Sequence, residues 1–275
     1  MPSEADAIAA TSAPATVASL VRDLAALGVD PGGVVIVHSS LSALGWVAGG
    51  PQSVVEALLD VVGPSGTIVM PTQSGQLSDP AAWSRPPVPK PWIDLLHDGL
   101  PAYDPYLTPT RGMGQVVECF RQHRATIRSA HPTLSFAACG PQAEAIVGTH
   151  PLSPGLGETS PLGRLYDLDA QVVLLGVGHA HDTSLHLAEH RASWPGKTTI
   201  REGAPVQRDG RREWVVYDDL ELDEGDFDQI GDAFAATGSE RTGKVGAGTG
   251  RLSRVRALVD FAVEWMNEHR PTRPT

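Results

Sequence analysis

Three short runs constrain this chain more than anything else in it: "GGVVIVHSS" at 32–40, "GTIVMPTQ" at 66–73 and "AQVVLLGVGHA" at 170–180. Each is a continuous, apolar, mostly β-branched or leucine-rich run with glycine at its borders. A strand reads this way when both its faces are buried, as in a parallel sheet covered by helices on either side. The segments between the runs have helical periodicity instead. In "TVASLVRDLAALGV", Val17, Leu20, Val21, Leu24, Leu27 and Val29 recur near the helical repeat and Gly28 can end it. "GPQSVVEALLDVVG" carries Pro51 in its first turn and Gly63 at its close, and "GPQAEAIVGTH" reads as a further helix. Alternating helix and strand predict the α/β class with a mainly parallel central sheet.

Two segments break the alternation. Residues 74–112 carry many prolines among Trp83, Trp92, Tyr103 and Tyr106. That is more than a connector needs, and it predicts a long inserted loop acting as a lid or wall. Residues 195–217 predict a β-hairpin turning at Asp209-Gly210. Near the end, "GRLSRVRALVDFAVEWMNEHR" places Leu252, Val255, Leu258, Val259, Ala262, Val263 and Met266 on one helical face, as a docking helix would. Residues 1–13 lack periodicity and read as a disordered, frayed lead-in. Without repeats or low-complexity linkers, 14–270 reads as a single domain in which 74–112 is a lid-like insertion and 195–230 an acidic hairpin region.

With 275 residues, 41% of them hydrophobic, the chain can bury a sizeable core without staples. Its two cysteines, Cys119 and Cys139, provide neither a disulfide framework nor a C-x-x-C pair, which points to a reducing compartment. Its first residues are acidic where a signal peptide would be basic, and no apolar run reaches the roughly 18 to 20 residues that span a bilayer. A soluble, cytoplasmic protein is expected. The formal net charge of −11 argues against a nucleic-acid partner, since phosphate-backbone binding relies on clustered Lys and Arg. It would suit a polycationic small molecule.

The chemistry concentrates in "LLGVGHAHDTSLHLAEHRA", 174–192. A polar turn after a buried strand lies at the carboxyl edge of the sheet, where open α/β folds bind ligands. Asp182 or Thr183 is a natural N-cap there, a role that needs no chemistry. If a helix begins at that point, Asp182, His186 and Glu189 or His190 stand three and four residues apart and share a face. A carboxylate beside an imidazole orients the ring and stabilises its charged form, which makes His186 the candidate general base. The rival is a zinc-dependent hydrolase, because His186-x-x-Glu189-His190 matches H-x-x-E-H and His179 and His181 stand just upstream. That motif needs a position well inside a helix and a further carboxylate ligand, and His179 and His181 would compete for the geometry. The lone Gly176-x-Gly178 lacks the third glycine of a dinucleotide fingerprint, and no G-x-S-x-G elbow is present.

Taken in order, "PGGVVIVHSSLSALGWVAGGPQSVVEALLDVVGPSGTIVMPT", "RSAHPTLSFAACGPQAEAI" and "LLGVGHAHDTSLHLAEHRA" resemble the aminoglycoside 3-N-acetyltransferase, or antibiotic N-acetyltransferase, family. The resemblance extends from about residue 16 to residue 267. It implies the family's own α/β/α layered fold, distinct from the GCN5-related acetyltransferases. It also implies transfer of an acetyl group from acetyl-coenzyme A to the 3-amino group of the 2-deoxystreptamine ring, and with it aminoglycoside resistance. No metal is implied.

The family's T-[ST]-L-H-x-A-E motif falls on Thr183 to Glu189, making His186 the base in a direct, ternary-complex reaction, Glu189 a partner of the ring and Thr183 a donor to the oxyanion. Asp219 and Glu221, in "YDDLELDEGDF", match further family carboxylates that assist the base or grip the substrate. His38, Ser39, Ser40 and Leu41, in "VHSSLSALGWVAGG", are the expected coenzyme A segment; hydroxyls and free amides at a strand end can bind pantetheine amides and phosphates. Arg251 is a further candidate phosphate contact, although Gly250 stands before it where the family commonly has a small polar residue. Asp79 and Trp83 of the lid, with Asp182, Asp219 and Glu221, are the expected substrate contacts. An acetyltransferase acting on another amine remains as an alternative, and the chain is expected to be a monomer or homodimer.

Overall fold

In the computed structural model, which describes residues 4–270, helix α1 (Glu4–Ala10) precedes α2 (Val17–Leu27). Thr16 and Ser19 open α2 with a reciprocal capping box, and Gly28 closes it at φ 105°. The cap oxygen satisfies an amide hydrogen that the first turn leaves free, and glycine takes the left-handed conformation without a Cβ penalty. The chain continues through β1 (Val34–Ser39), α3 (Pro51–Val62) and β2 (Thr67–Pro71). The insertion contributes α4 (Ile93–Gly99), followed by α5 (Gln115–Arg121), β3 (Ile127–Arg128), β4 (Phe136–Cys139) and α6 (Ala143–Val147). Next come α7 (Pro161–Asp167), β5 (Gln171–Leu175), α8 (Leu185–Arg191), β6 (Thr199–Arg208) and β7 (Arg211–Leu220). Helix α9 (Phe227–Ala236), β8 (Arg241–Val245), β9 (Gly248–Arg254) and α10 (Val255–His269) complete the described residues.

Among those residues, seven strands form one sheet in the order β3-β4-β2-β1-β5-β9-β8, and β6 pairs with β7 apart from it. The centre is parallel, with β1 between β2 and β5, while β4 and β9 close on it antiparallel. Parallel neighbours need crossovers, and α2, α3 and the helices before β5 supply the covering layers. In β1, Val35 and Val37 face one core with Leu20, Leu24, Leu58 and Phe120, while Ile36 faces the other with Leu185, Ile230, Phe234 and Leu258. Strand side chains alternate between faces, so a strand covered twice must be apolar throughout. The expected α/β layering, with a separate hairpin and a long inserted loop, is the arrangement the chain adopts.

The hairpin turns at Asp209 (φ 51°) and Gly210 (φ 73°), the pair of positive φ values that a two-residue turn matching strand twist requires. The insertion lies against it: Tyr103 donates its amide to the Pro205 carbonyl at 3.0 Å, and the His97 and Trp214 rings are 4.4 Å apart.

Two expectations change. Residues 4–10, read as part of a disordered lead-in, form α1, and the Trp46 indole donates to Glu4 at 3.2 Å; residues 1–3 lie outside the described residues. Leu252, placed on the face of the last helix, belongs instead to β9, which pairs with β5 and β8. The helix begins three residues later, at Val255, because the ladder claims the backbone groups before it. No helix among the described residues is long and apolar enough to cross a membrane.

Candidate active site

Strand β5 delivers the chain to the carboxyl edge of the sheet, where Gly176 turns it at φ 67° so closely over Ala43 that a Cβ would overlap that side chain. A 3₁₀ turn at His179–His181 follows, so the helix starts later than the cap chemistry suggested. Its N-cap is Ser184, with no side-chain cap bond, whereas Asp182 accepts the Ser184 amide at 3.0 Å. Neither Asp182 nor Thr183 is therefore the N-cap. The amides of Leu185, His186 and Leu187 reach back to the carbonyls of Asp182, Thr183 and Ser184, tightening the first turn.

Within α8, His186 and Glu189 meet as their spacing predicted: Nδ1 and Oε2 are 2.6 Å apart. Glu189 is fully buried, and its other oxygen accepts from the Asp223 amide at 3.0 Å and from Arg270 Nη1 at 2.7 Å. The His186 ring packs 5.0 Å from that of Phe227 and keeps slight solvent exposure. With Nδ1 engaged, Nε2 is the ring nitrogen left to exchange a proton. Thr183 is buried just before the helix, and the Ser184 hydroxyl, also buried, has no hydrogen-bond partner among the described residues.

Asp182 does not share this face. It is enclosed, 3.4 Å from His179 Nδ1 and 3.7 Å from His38 Nε2, which removes it from the expected substrate contacts. His38 is likewise inside, at the end of β1. Burial lowers its pKa to about 4 against the pull of Asp182, so the ring is neutral at pH 7. Its side chain faces the protein and the Ser39 hydroxyl is buried as well, which leaves the Ser40 hydroxyl, 3.2 Å from that of Ser42, and the backbone before the 3₁₀ turn at Leu41–Leu44 as the polar edge of that segment. His179 lies between Asp182 and Glu240, whose oxygen is 2.6 Å from Nε2, and Arg251 donates to the second Glu240 oxygen at 2.7 Å. Burial disfavours a charged His179, but the two carboxylates outweigh it and raise its pKa to about 9. His181 is exposed and His190 half-buried. Among the described residues, no three His, Cys, Asp or Glu side chains converge as a metal ion would need.

A cleft of about 720 Å³ opens between the insertion and the hairpin; Trp83, Arg111, Glu202, Tyr217, Asp219 and Glu221 are among its walls. Asp219 is held by two amides, those of Gly155 and Leu220, each at 2.8 Å. Burial, then the nearby Asp219 and Asp79, push the Glu202 carboxyl upward, and burial is the main cause that takes the Tyr217 hydroxyl to about 12. Asp79 stays out of the cleft lining: it caps the turn at Pro80–Ala82 through the Ala81 amide and meets His97 Nε2 at 2.9 Å. The segment whose Asp219 to Leu222 line the cleft continues to Asp223, whose amide holds Glu189, so cleft and dyad share one stretch of backbone. Glu202, Glu240 and Arg270 did not stand out in the sequence. Their partners are distant along it, and nothing local marks them.

The family profile described as aminoglycoside 3-N-acetyltransferase matches residues 36–267. The chain is 47% identical to the SPbeta prophage-derived aminoglycoside N(3')-acetyltransferase-like protein YokD of Bacillus subtilis, over 94% of either chain. It is 38% identical to aminoglycoside N(3)-acetyltransferase VII of Streptomyces paromomycinus, over 93% of this chain and 92% of the other. The crystal structure of YokD superposes with a TM-score of 0.93, at 46% identity over 95% of this chain and 97% of that one. AAC-IIIb in binary complex with CoASH gives a TM-score of 0.83 at 33% identity (96% and 100% covered), and AAC-VIa bound to sisomicin gives 0.84 at 32% (94% and 99%). On sequence and fold alike, the chain belongs to the aminoglycoside 3-N-acetyltransferase family, acyltransferases whose acetyl donor is acetyl-coenzyme A.

Proposed function

We propose that the protein transfers the acetyl group of acetyl-coenzyme A directly, in a ternary complex, to the 3-amino group of a 2-deoxystreptamine aminoglycoside, with His186 as general base. The observation that carries this reading is the 2.6 Å contact between His186 Nδ1 and a Glu189 carboxylate whose other oxygen is already taken. That arrangement orients the ring and leaves Nε2 for the substrate amine. As the amine nitrogen bonds to the thioester carbonyl carbon, Nε2 takes its proton. When the C–S bond then breaks, the sulfur leaves with the electron pair and recovers a proton from the imidazolium.

The Thr183 and Ser184 hydroxyls, at the start of α8, are the donors assigned to the oxyanion. Asp219 and Glu221 on the cleft wall suit the ammonium groups of a polycation, and Trp83 offers it an aromatic face. The Ser40 hydroxyl and the backbone from Ser39 to Leu41 suit the coenzyme A arm. Cys119 and Cys139 are free thiols, in keeping with a reducing cytoplasm.

A free-thiol release assay with acetyl-coenzyme A and a panel of gentamicin-like, kanamycin-like and apramycin-like amines tests the substrate class. Release with at least one is expected; release only with unrelated amines would leave the fold and chemistry but sink the antibiotic assignment. In the same assay His186→Ala should lower turnover by roughly 100-fold to 10,000-fold with little change in coenzyme A affinity. Near-normal turnover removes His186 from the mechanism.

A further inference from the structure

Arg270 stands at the end of α10, beyond the 36–267 stretch that the family profile covers. It is buried, at 8% exposure, with its guanidinium 4.8 Å from the Trp194 ring. Nη1 donates to Glu189 Oε1 at 2.7 Å. Nε and Nη2 grip the two Asp226 oxygens at 2.7 and 2.6 Å, and Nη2 also reaches the Asp223 carbonyl at 2.7 Å. We infer that Arg270 is the positioning residue of the acid/base pair: anchored on Asp226, it holds the Glu189 carboxylate so that Oε2 alone faces His186. The inference rests on the proposed role of His186 and Glu189.

The terminal torsion of a glutamate is broad, so packing alone does not fix the plane in which the carboxylate meets the ring. Oε1 is pinned by a backbone amide and by one tine of a planar fork whose remaining tines are bound elsewhere, and that leaves Oε2 in place. Charge supports the same reading: Arg270 is the counter-ion set between two carboxylates, Glu189 and Asp226. A lysine could supply the charge but could not span Glu189 and Asp226 with directed donors at once.

Steady-state kinetics on folded enzyme, with the folded fraction fixed by urea unfolding, tests the assignment. Arg270→Gln should lower kcat on the order of 10-fold to 100-fold while KM for acetyl-coenzyme A and for the amine stays within about 3-fold, since a loosened dyad costs chemistry and not binding. Arg270→Lys should fall between the two enzymes. In a Glu189→Gln background, adding Arg270→Gln should cost less than about 2-fold more, because a residue acting through Glu189 has nothing left to act on. Wild-type kcat in Arg270→Gln, or losses that multiply in the double variant, overturns the inference. If Arg270→Gln does not fold, Arg270→Lys decides: a kcat lowered at unchanged KM supports the fork, and a wild-type kcat overturns it. Should Glu189→Gln itself keep full turnover, the proposed dyad falls and this inference with it; an impaired Glu189→Gln beside an unimpaired Arg270→Gln removes the inference alone.

Discussion

His186 and His179 belong to one segment, and each touches a buried carboxylate that an arginine backs: Glu189 with Arg270 for the first, Glu240 with Arg251 for the second. The difference is a second carboxylate. His179 has Asp182 at 3.4 Å on Nδ1 as well as Glu240 at 2.6 Å on Nε2, and it packs so tightly on α9 that a Cβ at Gly231 would overlap the ring. With a pKa near 9 and a carboxylate facing each ring nitrogen, it is a fixed cation at neutral pH with no proton to take up. His186 has one carboxylate, one nitrogen engaged and a little solvent. The same residue types thus build an internal ion cluster in one case and a proposed base in the other, and the number of carboxylates per ring decides which.

The sharpest way to break this comparison is to remove the fixed cation. His179→Gln leaves Asp182 and Glu240 facing each other without the charge that separates them, and breaking a buried pair this way costs about 3–5 kcal/mol. Urea unfolding should show that loss, while kcat per folded molecule stays within about 3-fold of wild type. A turnover loss on the scale expected for His186→Ala would erase the distinction.

Next in size is the pH dependence of stability. The folded pKa of His179, about 9, lies above the unfolded value of about 6.5, so the folded state binds the extra proton between them. Its stabilisation is complete below about pH 6.5 and is lost as pH rises through 9. His38 and His131, both lowered to about 4, and His150, lowered to about 3, act in the opposite sense, and burial is the main cause in each. Their neutral rings stabilise the fold fully above about pH 6.5, and that contribution is lost as pH falls and the unfolded chain takes up protons. The urea midpoint should therefore drop on both sides of neutrality. In His179→Gln the alkaline decline should shrink and the acid one persist; an unchanged alkaline limb would refute the assignment of charge to His179.

These two clusters also mark how far the sequence could be read. Buried strands β1, β2 and β5, helices α2 and α3 and the turn at Asp209-Gly210 were legible because their signals are local: a run, a period, a cap, a glycine at positive φ. Strands β8 and β9 were not. "RTGKVGAGTGRLSR" has glycines and charges where a strand would alternate, β8 being the sheet's edge strand, and only Arg251 in it was singled out, as a phosphate contact. The His186–Glu189 contact spans three residues and showed in the spacing. Glu240 is 61 residues from His179, and Arg270 is 81 from Glu189, so only the fold brings them together. The H-x-x-E-H match carried little for the complementary reason: a short pattern says nothing of what each ring already faces. His179 and His186 are each engaged by carboxylates inside the protein.

The smallest expected effect falls on the arginine that backs the fixed cation. Arg251 was a candidate for a coenzyme A phosphate, yet one guanidinium nitrogen donates to Glu240 at 2.7 Å and its side chain is only 31% exposed. If it chiefly balances Glu240, as Arg270 balances Glu189, then Arg251→Gln should cost about 1 kcal/mol of stability, because solvent still reaches the pair. KM for acetyl-coenzyme A should then be unchanged. A several-fold rise in that KM with wild-type stability would show the reverse, that the guanidinium serves the cosubstrate and Glu240 merely holds it in place. Either result separates the two arginines by function: Arg270 would be read in kcat, and Arg251 in stability or in cosubstrate affinity.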